Sequence, residues 1–131
     1  MDRAEKEALV ASLHRTFNET ALVVVTHYSG LTVAEMGDLR KRMREVGAGL
    51  KVSKNRLVRL ALAGTPYQGL DPLFKGPTAI VSANDPVAAA KVTTAFAKTN
   101  AKLIILGGAL AGQTIDADAV RALATLPSLD E

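Results

Sequence analysis

The sequence predicts an α+β fold, a two-layer sandwich of the split β-α-β (ferredoxin-like) kind with a mixed or antiparallel sheet. Helical and strand patterns alternate along the chain in the order α-β-α-β-α-β-α-β-α, so extra helices, including an N-terminal one, accompany the sandwich. The second strand pattern has only four residues, which is typical of an edge strand and favours this fold. A doubly wound parallel sheet is the competing interpretation.

The first three elements follow from apolar periodicity and from a helix cap. Residues 2–18 carry apolar side chains every three or four positions and predict a helix. The run ALVVVTHY, residues 21–28, is rich in β-branched residues and predicts a buried strand. A second helix is predicted over 33–46, because Thr32 and Glu35 have the spacing of a capping box.

The middle of the chain predicts a short strand, a helix and a long loop. LKVS, residues 50–53, is the short strand, and Ser53 is the predicted cap of a helix over 54–63. The segment PYQGLDPLFKGP, residues 66–77, predicts a loop with one helical turn. TAIVSA, residues 78–83, predicts the next strand.

The last third predicts a helix, a strand and a short helix. Asp85 caps a helix over 85–99 that begins with proline. KLIILGGAL, residues 102–110, predicts a strand. Asp116 then caps a short helix that ends near Leu126.

Length and composition predict one domain over residues 1–131 with a core of aliphatic side chains. Hydrophobic residues make up 48% of the chain and aromatic residues only 4%. The absence of cysteine excludes disulfides, thiol catalysis and cysteine-based zinc sites, and is consistent with a reducing cytosol. The N-terminal sequence has no signal-peptide pattern, and no apolar run approaches the length of a membrane span.

Positive charge is concentrated in one region, although the net charge is only +3. Residues 40–59 hold 8 of the 16 basic residues and a single acid, Glu45. Such polarisation is typical of a surface that binds a polyanion. The alternative interpretation is that these basic residues only form a solvated helix face.

Helical geometry separates the apolar from the polar side chains of the helix over 54–63 and places its start beside Lys51. The free N–H groups at that start also favour an anion. Arg42 is expected to pair with Asp38, four residues earlier. Few aromatic residues lie nearby, which disfavours base stacking and favours recognition of backbone and shape on folded RNA or a duplex. The candidate RNA-binding residues are Arg40, Lys41, Arg44, Lys51, Lys54, Asn55, Arg56 and Arg59.

Other candidate sites have simpler explanations. His14 and His27 lack partners at metal-ligand spacing, so no metal is predicted. GGALAG, residues 107–112, lacks the glycine order of a dinucleotide-binding loop and predicts a bend in an edge or end strand. Asp116 and Asp118 fit helix capping. No set of nucleophile, base and acid is visible, so we predict neither an enzyme nor a cofactor.

The segment YSGLTVAEMGDLRKRMREVGAGLKVSKNRLVRLAL resembles the signature region of a ribosomal family, the stalk-base protein that is number ten of the large subunit. KGPTAIV (75–81), GG (107–108) and LATLPS (123–128) extend the resemblance over essentially the whole chain. The matching signature positions are Tyr28, Gly30, Leu31, Thr32, Leu39, Arg40, Gly47, Lys51, Val52, Lys54, Asn55 and Leu57.

The resemblance implies a cytoplasmic, ribosome-bound protein that binds large-subunit rRNA in the GTPase-associated region, beside ribosomal protein eleven. It implies the base of the stalk that recruits translational GTPases and promotes their GTP hydrolysis, without enzymatic activity of its own. Of the candidate residues, Arg40, Lys51, Lys54 and Asn55 match the family motif. Arg44, Arg56 and Arg59 rest on the charge argument alone.

The chain departs from the family pattern at its C-terminal end. In the family, a long helix after the LPS segment carries the dimers of the seven/twelve stalk protein, whereas this sequence ends at Glu131. We therefore expect rRNA binding, with the dimer-docking helix absent or just beginning at 127–131. Two other hypotheses stay open: a small α/β enzyme or nucleotide-binding domain that uses GGALAG, and a module whose basic face meets an acidic protein.

Overall fold

The computed structural model describes residues 2–126. Within them, helices and strands alternate as the sequence predicts, except for one additional strand near the end. The elements are α1 (Arg3–Glu19), β1 (Leu22–His27), α2 (Val33–Glu45), β2 (Gly49–Lys51), α3 (Asn55–Leu62), a 3₁₀ helix (Gln68–Leu73), β3 (Thr78–Ala83), α4 (Pro86–Thr99), β4 (Ile104–Leu110), β5 (Gln113–Asp116) and α5 (Ala117–Leu123).

The five strands form one sheet in the order β2-β3-β1-β4-β5, and every neighbouring pair is antiparallel. The first four strands, together with α2 and α4, have the split β-α-β topology. The predicted α+β fold is therefore confirmed, and the doubly wound parallel sheet is excluded. The short strand β2 is an edge strand, as its length predicts.

The additional strand β5 forms a hairpin with β4. The connecting residues Ala111 and Gly112 both have positive φ, +50° and +84°, as a two-residue type I′ turn requires. The usual signals for this turn are Asn-Gly and Asp-Gly. Because alanine occupies the first turn position, the sequence prediction missed the hairpin and placed only a bend here.

Helices cover both faces of the sheet. On one face, α2, α4 and α5 bury side chains such as Leu39 and Phe96 against alternate residues of the central strands. On the other face, α1, α3 and the 3₁₀ helix bury Leu13 and Leu62 among the intervening residues. Strand β1 is fully enclosed at residues 22–25, which explains its unbroken apolar run. Two of the predicted extra helices, α1 and α3, therefore form a second layer with the 3₁₀ helix, whereas α5 joins the layer of α2 and α4.

The two helical layers are joined round the β2 edge of the sheet. Helix α2 belongs to one layer, β2 forms the edge, and α3 belongs to the other layer. The basic region of the sequence follows this path and lies on both sides of the edge. Among residues 2–126, no helix is both long enough and apolar enough to cross a lipid bilayer.

Candidate nucleic-acid interface

Helix α2 begins with the capping box that the sequence predicts. The Thr32 hydroxyl accepts the amide N–H of Glu35 at 3.0 Å, and the Glu35 carboxylate accepts the amide N–H of Thr32 at 2.9 Å. The Thr32 amide holds the pKa of Glu35 below its ordinary value. Asn100 donates to the other Glu35 oxygen, so the start of α2 is also tied to the segment that follows α4.

The outer face of α2 carries three exposed cations, Arg40, Lys41 and Arg44. The inward side chains Leu39 and Met43 fix this orientation, because they are almost completely buried. The face therefore presents three positive charges to solvent.

Arg42 is engaged within the protein, as predicted. Its guanidinium lies 3.1 Å from the carboxylate of Asp38, one turn earlier. The same guanidinium carbon lies 5.6 Å from the centre of the Phe96 ring on α4, within the range of a cation–π contact. Arg42 thus links α2 to α4 and stays outside the candidate set.

Lys51 lies on the edge strand β2 and faces the α3 side of the sheet. Its register partner is Ile80, whose side chain belongs to the core beneath α1 and α3. Paired residues of an antiparallel sheet project from the same face. Lys51 is half-buried and points toward the layer that contains α3.

The start of α3 has no side-chain cap. The cap position is Lys54, and the predicted cap at Ser53 is wrong because Ser53 lies one residue before it. The lysine side chain cannot accept the free N–H groups of the first turn. Lys54 and Arg56 are both exposed at this end of the helix.

Asn55, in contrast, makes hydrogen bonds within the protein through both polar atoms of its side chain. Its side-chain N–H donates to the carbonyl of Gly76 at 2.8 Å. Its side-chain oxygen accepts the hydroxyl of Thr78 at 2.5 Å, and Thr78 is only 3% exposed. Asn55 therefore joins the start of α3 to the segment that leads into β3.

Arg59 is directed to the same segment. Its Nη2 donates to the carbonyl of Phe74 at 2.8 Å. Its Nε lies 4.0 Å from the carboxylate of Asp71, which is an ion pair at its limit and too long for a hydrogen bond. Among residues 2–126, none of the other cationic candidates has a carboxylate within 4.0 Å; these six are Arg40, Lys41, Arg44, Lys51, Lys54 and Arg56.

Two residues that sequence reasoning left out of the candidate set, Lys75 and His27, adjoin it through the segment that Asn55 and Arg59 bind. Nε2 of His27 donates to the carbonyl of Lys75 at 2.6 Å, and the Lys75 side chain is exposed. The segment that begins at Lys75, KGPTAIV, was noted in the sequence only as part of the family resemblance. His27 was interpreted from the sequence as a core or surface residue rather than a metal ligand, and its partner could not be identified because it lies 48 residues further along the chain.

The other motifs have structural roles. Nδ1 of His14 donates to the carbonyl of Ala61 at 2.9 Å and joins α1 to α3. A Cβ atom on Gly108 would lie 2.4 Å from the carbonyl oxygen of Val23, so strand packing requires this glycine. Asp116 caps α5, as predicted. The described part of the chain contains no group of three or more residues able to hold a metal ion.

A groove of about 960 Å³ runs between α1 and α3. Its floor is apolar and includes Leu57 and Leu60, and Leu60 is 58% exposed. Four cations and one carboxylate also line it: Arg3, Lys6, Lys54, Arg56 and Glu7. Glu7 pairs with Arg3 at 3.1 Å, so the charge along the groove remains positive.

Comparisons with known proteins agree on one family. The family model described as Ribosomal protein L10 matches residues 1–98, which include all eight candidate residues. The large ribosomal subunit protein uL10 of Paramagnetospirillum magneticum is 60% identical over all 131 residues, which cover 77% of its length. Proteins of the same name from Rhodospirillum rubrum and Bradyrhizobium sp. are 57% and 56% identical over the whole chain, which covers 76% of each.

Proposed function

Because the chain belongs to the ribosomal protein L10 family, we propose that it binds large-subunit rRNA in the GTPase-associated region and forms the base of the ribosomal stalk. As a member of this family it is a structural, non-enzymatic constituent of the large ribosomal subunit. It therefore acts in translation, on the ribosome in the cytoplasm. In the proposal, the stalk recruits translational GTPases and this protein anchors it to the RNA.

The observation that carries the proposal is the set of six cations around the β2 edge that have no carboxylate partner among the described residues. A cation already paired with a carboxylate contributes little to phosphate binding, because the pair must first be broken. Arginine binds phosphate through a planar fork and lysine as a point charge. Helix α2, strand β2 and helix α3 all contribute, so the charge follows the edge of the sheet.

The aromatic residues support recognition by backbone and shape. Four of the five aromatic side chains, Phe17, Tyr67, Phe74 and Phe96, are buried in the core. They are therefore unavailable as stacking platforms for single-stranded bases. A cationic surface without such platforms suits the phosphates and the shape of a folded RNA.

The protein partners belong to the same proposal. Ribosomal protein eleven is the proposed neighbour on the RNA, and the dimers of the seven/twelve protein are the proposed stalk. In the family pattern, the dimers dock on a helix that follows the LPS segment. Residues 127–131, where that helix was expected to begin, lie outside the described residues.

The test is a titration of the protein against the GTPase-associated rRNA fragment, with tRNA as competitor, at two salt concentrations. We expect tight binding that survives tRNA, with an affinity that falls as salt rises, because each phosphate contact contributes about 0.7–0.9 to the slope of log affinity against log salt. We expect Lys54→Glu to weaken this binding and to leave thermal unfolding unchanged, because Lys54 is exposed. Equal binding to both RNAs would contradict the assignment.

The groove between α1 and α3 favours a second candidate function, the binding of an acidic amphipathic protein segment. An apolar floor with Leu60 exposed and a cationic lining complement such a segment, whereas phosphates need no apolar floor. The test compares Leu60→Asp with the unmodified protein for binding to an acidic amphipathic helical peptide and to the rRNA fragment. Loss of peptide binding alone would support this candidate, and absence of peptide binding by the unmodified protein would exclude it.

A further inference from the structure

Four consecutive carbonyl groups, those of residues 74–77, each accept a hydrogen bond from another part of the chain. The first three accept side-chain donors: Arg59 at 2.8 Å, His27 at 2.6 Å and Asn55 at 2.8 Å, in that order. The fourth, on Pro77, accepts the backbone N–H of Tyr28 at 3.1 Å. Loop carbonyls on a protein surface ordinarily bind water, so this segment is held in place to an unusual degree.

The donors belong to two different elements that flank the loop. Arg59 and Asn55 come from α3, whereas His27 and Tyr28 come from the end of β1 and the residue that follows it. Gly76 has φ of +72°, a conformation that glycine adopts without strain. The segment is therefore fixed from both sides.

The charged side chain of this loop is that of Lys75, which is exposed. Among residues 2–126, no carboxylate lies within 4.0 Å of its ammonium group. The loop is bonded to Asn55, and the residue before Asn55 is the exposed Lys54. The loop that carries Lys75 therefore adjoins the start of α3, where the proposed RNA surface already has an uncapped helix end.

We propose that Lys75 is a further phosphate contact of this surface and that His27 and Asn55 are positioning residues that hold its loop. This inference rests on the proposed RNA-binding function and names an additional element of the same site. Fixing a loop in its binding conformation lowers the entropy lost on association. It also assigns Asn55, which sequence reasoning counted as an RNA ligand, an intramolecular role.

The neutral alternative is that the four hydrogen bonds only stabilise the fold and that Lys75 is a solvated lysine. The two cases predict different effects of salt concentration on RNA affinity. A phosphate contact contributes to the slope of log affinity against log salt, whereas a positioning residue changes affinity without changing that slope. They also differ in coupling, because a positioning residue acts through the side chain that it positions.

The first experiment measures affinity for the GTPase-associated rRNA fragment over a series of salt concentrations for Lys75→Ala and Lys98→Ala. Lys98 is a matched control, an exposed lysine near the end of α4, a helix that contributes none of the eight candidate residues. We expect Lys75→Ala to reduce the slope by about 0.7–0.9 and the affinity by about tenfold. We expect Lys98→Ala to leave both unchanged.

The second experiment is a double-mutant cycle between His27→Ala and Lys75→Ala. We expect His27→Ala to lower affinity with little change of slope, and to have almost no effect once Lys75 has been removed. His27→Gln retains a donor for the Lys75 carbonyl and should recover part of the lost affinity. Thermal unfolding of each variant identifies any loss that comes from unfolding alone.

Different results would overturn the proposed RNA-binding function and the proposed role of Lys75. Failure of the unmodified protein to prefer the rRNA fragment over tRNA would overturn the proposed function and this inference with it. If the fragment binds and Lys54→Ala reduces the slope, but Lys75→Ala behaves like Lys98→Ala, only this inference falls. Equal effects of His27→Ala with and without Lys75 would remove the positioning role and leave Lys75 as an independent contact.

Discussion

Helices α2 and α3 have similar shares of basic residues, four of 13 and two of 8, yet they use their polar side chains differently. The outer face of α2 presents Arg40, Lys41 and Arg44 to solvent with no internal partner in the described chain. Helix α3 presents Lys54 and Arg56 but directs Asn55 and Arg59 to the carbonyls of a neighbouring loop. The density of basic residues in the sequence therefore indicates a candidate cationic surface. Tertiary contacts then decide which of its side chains remain available to a ligand.

The largest effect should come from replacing Asn55 on α3, in comparison with Arg44 on α2. Asn55→Ala removes the only acceptor that the structure gives to the buried hydroxyl of Thr78. Leaving a buried donor unsatisfied costs about 1–3 kcal/mol, whereas an exposed substitution such as Arg44→Ala changes stability by less than about 0.5 kcal/mol. Urea unfolding of both variants measures the difference.

Thr78→Val provides the matched control, because removing both partners of a buried hydrogen bond is less costly than removing one. The double variant Asn55→Ala, Thr78→Val should therefore be more stable than Asn55→Ala alone. For RNA binding the variant with the larger effect should be the other one. Arg44→Ala should reduce the slope of log affinity against log salt, and Asn55→Ala should leave that slope unchanged. If Asn55→Ala proves as harmless to stability as Arg44→Ala, the distinction between the two helices fails.

Predictions from the sequence succeeded where the signal was local. The capping box of Thr32 and Glu35 and the cap at Asp116 were identified from a few neighbouring residues, and both are present. The same reasoning placed the cap of α3 at Ser53, one residue too early. It also missed β5, because Ala111 adopts a positive φ that its residue type does not signal.

The intramolecular contacts of Asn55 and Arg59 were not accessible to such reasoning. The partners of Asn55 lie 21 and 23 residues away, and the carbonyl that Arg59 binds lies 15 residues away. Their proximity depends on α3 folding onto the face of the sheet opposite α2. Spacing along a helix predicted which residues share a face, but it contained no information on what that face meets.

A smaller effect should distinguish Arg42 from its neighbours on α2. Arg42→Ala removes an ion pair within the helix and a contact with the Phe96 ring. Partly exposed contacts of these kinds contribute about 0.3–1 kcal/mol each, so we expect a loss of about 1 kcal/mol in the free energy of unfolding. RNA affinity should change less than for Arg40→Ala. A larger loss of affinity for Arg42→Ala than for Arg40→Ala would contradict the assignment of Arg42 to the fold.

The smallest effect concerns the starts of the two helices under acid. Helix α2 begins with a carboxylate, Glu35, whose pKa lies below its ordinary value of 4.5, whereas the first turn of α3 contains no acid. Because the pKa is lower in the folded protein, ionised Glu35 stabilises the fold above about pH 4.5 and this contribution disappears as pH falls through the folded pKa.

Glu35→Gln tests this sign, because glutamine has the shape of glutamate without its charge and keeps one of the two acceptor oxygens. At neutral pH the unmodified protein should be the more stable of the two in urea unfolding. Below pH 4.5 the difference between their free energies of unfolding should narrow steadily. The Glu35 carboxyl group then becomes protonated, and the folded state favours its ionised form. A gap that stays constant to pH 3 would mean that the fold does not hold Glu35 ionised, and that α2 and α3 begin without any difference in their response to acid.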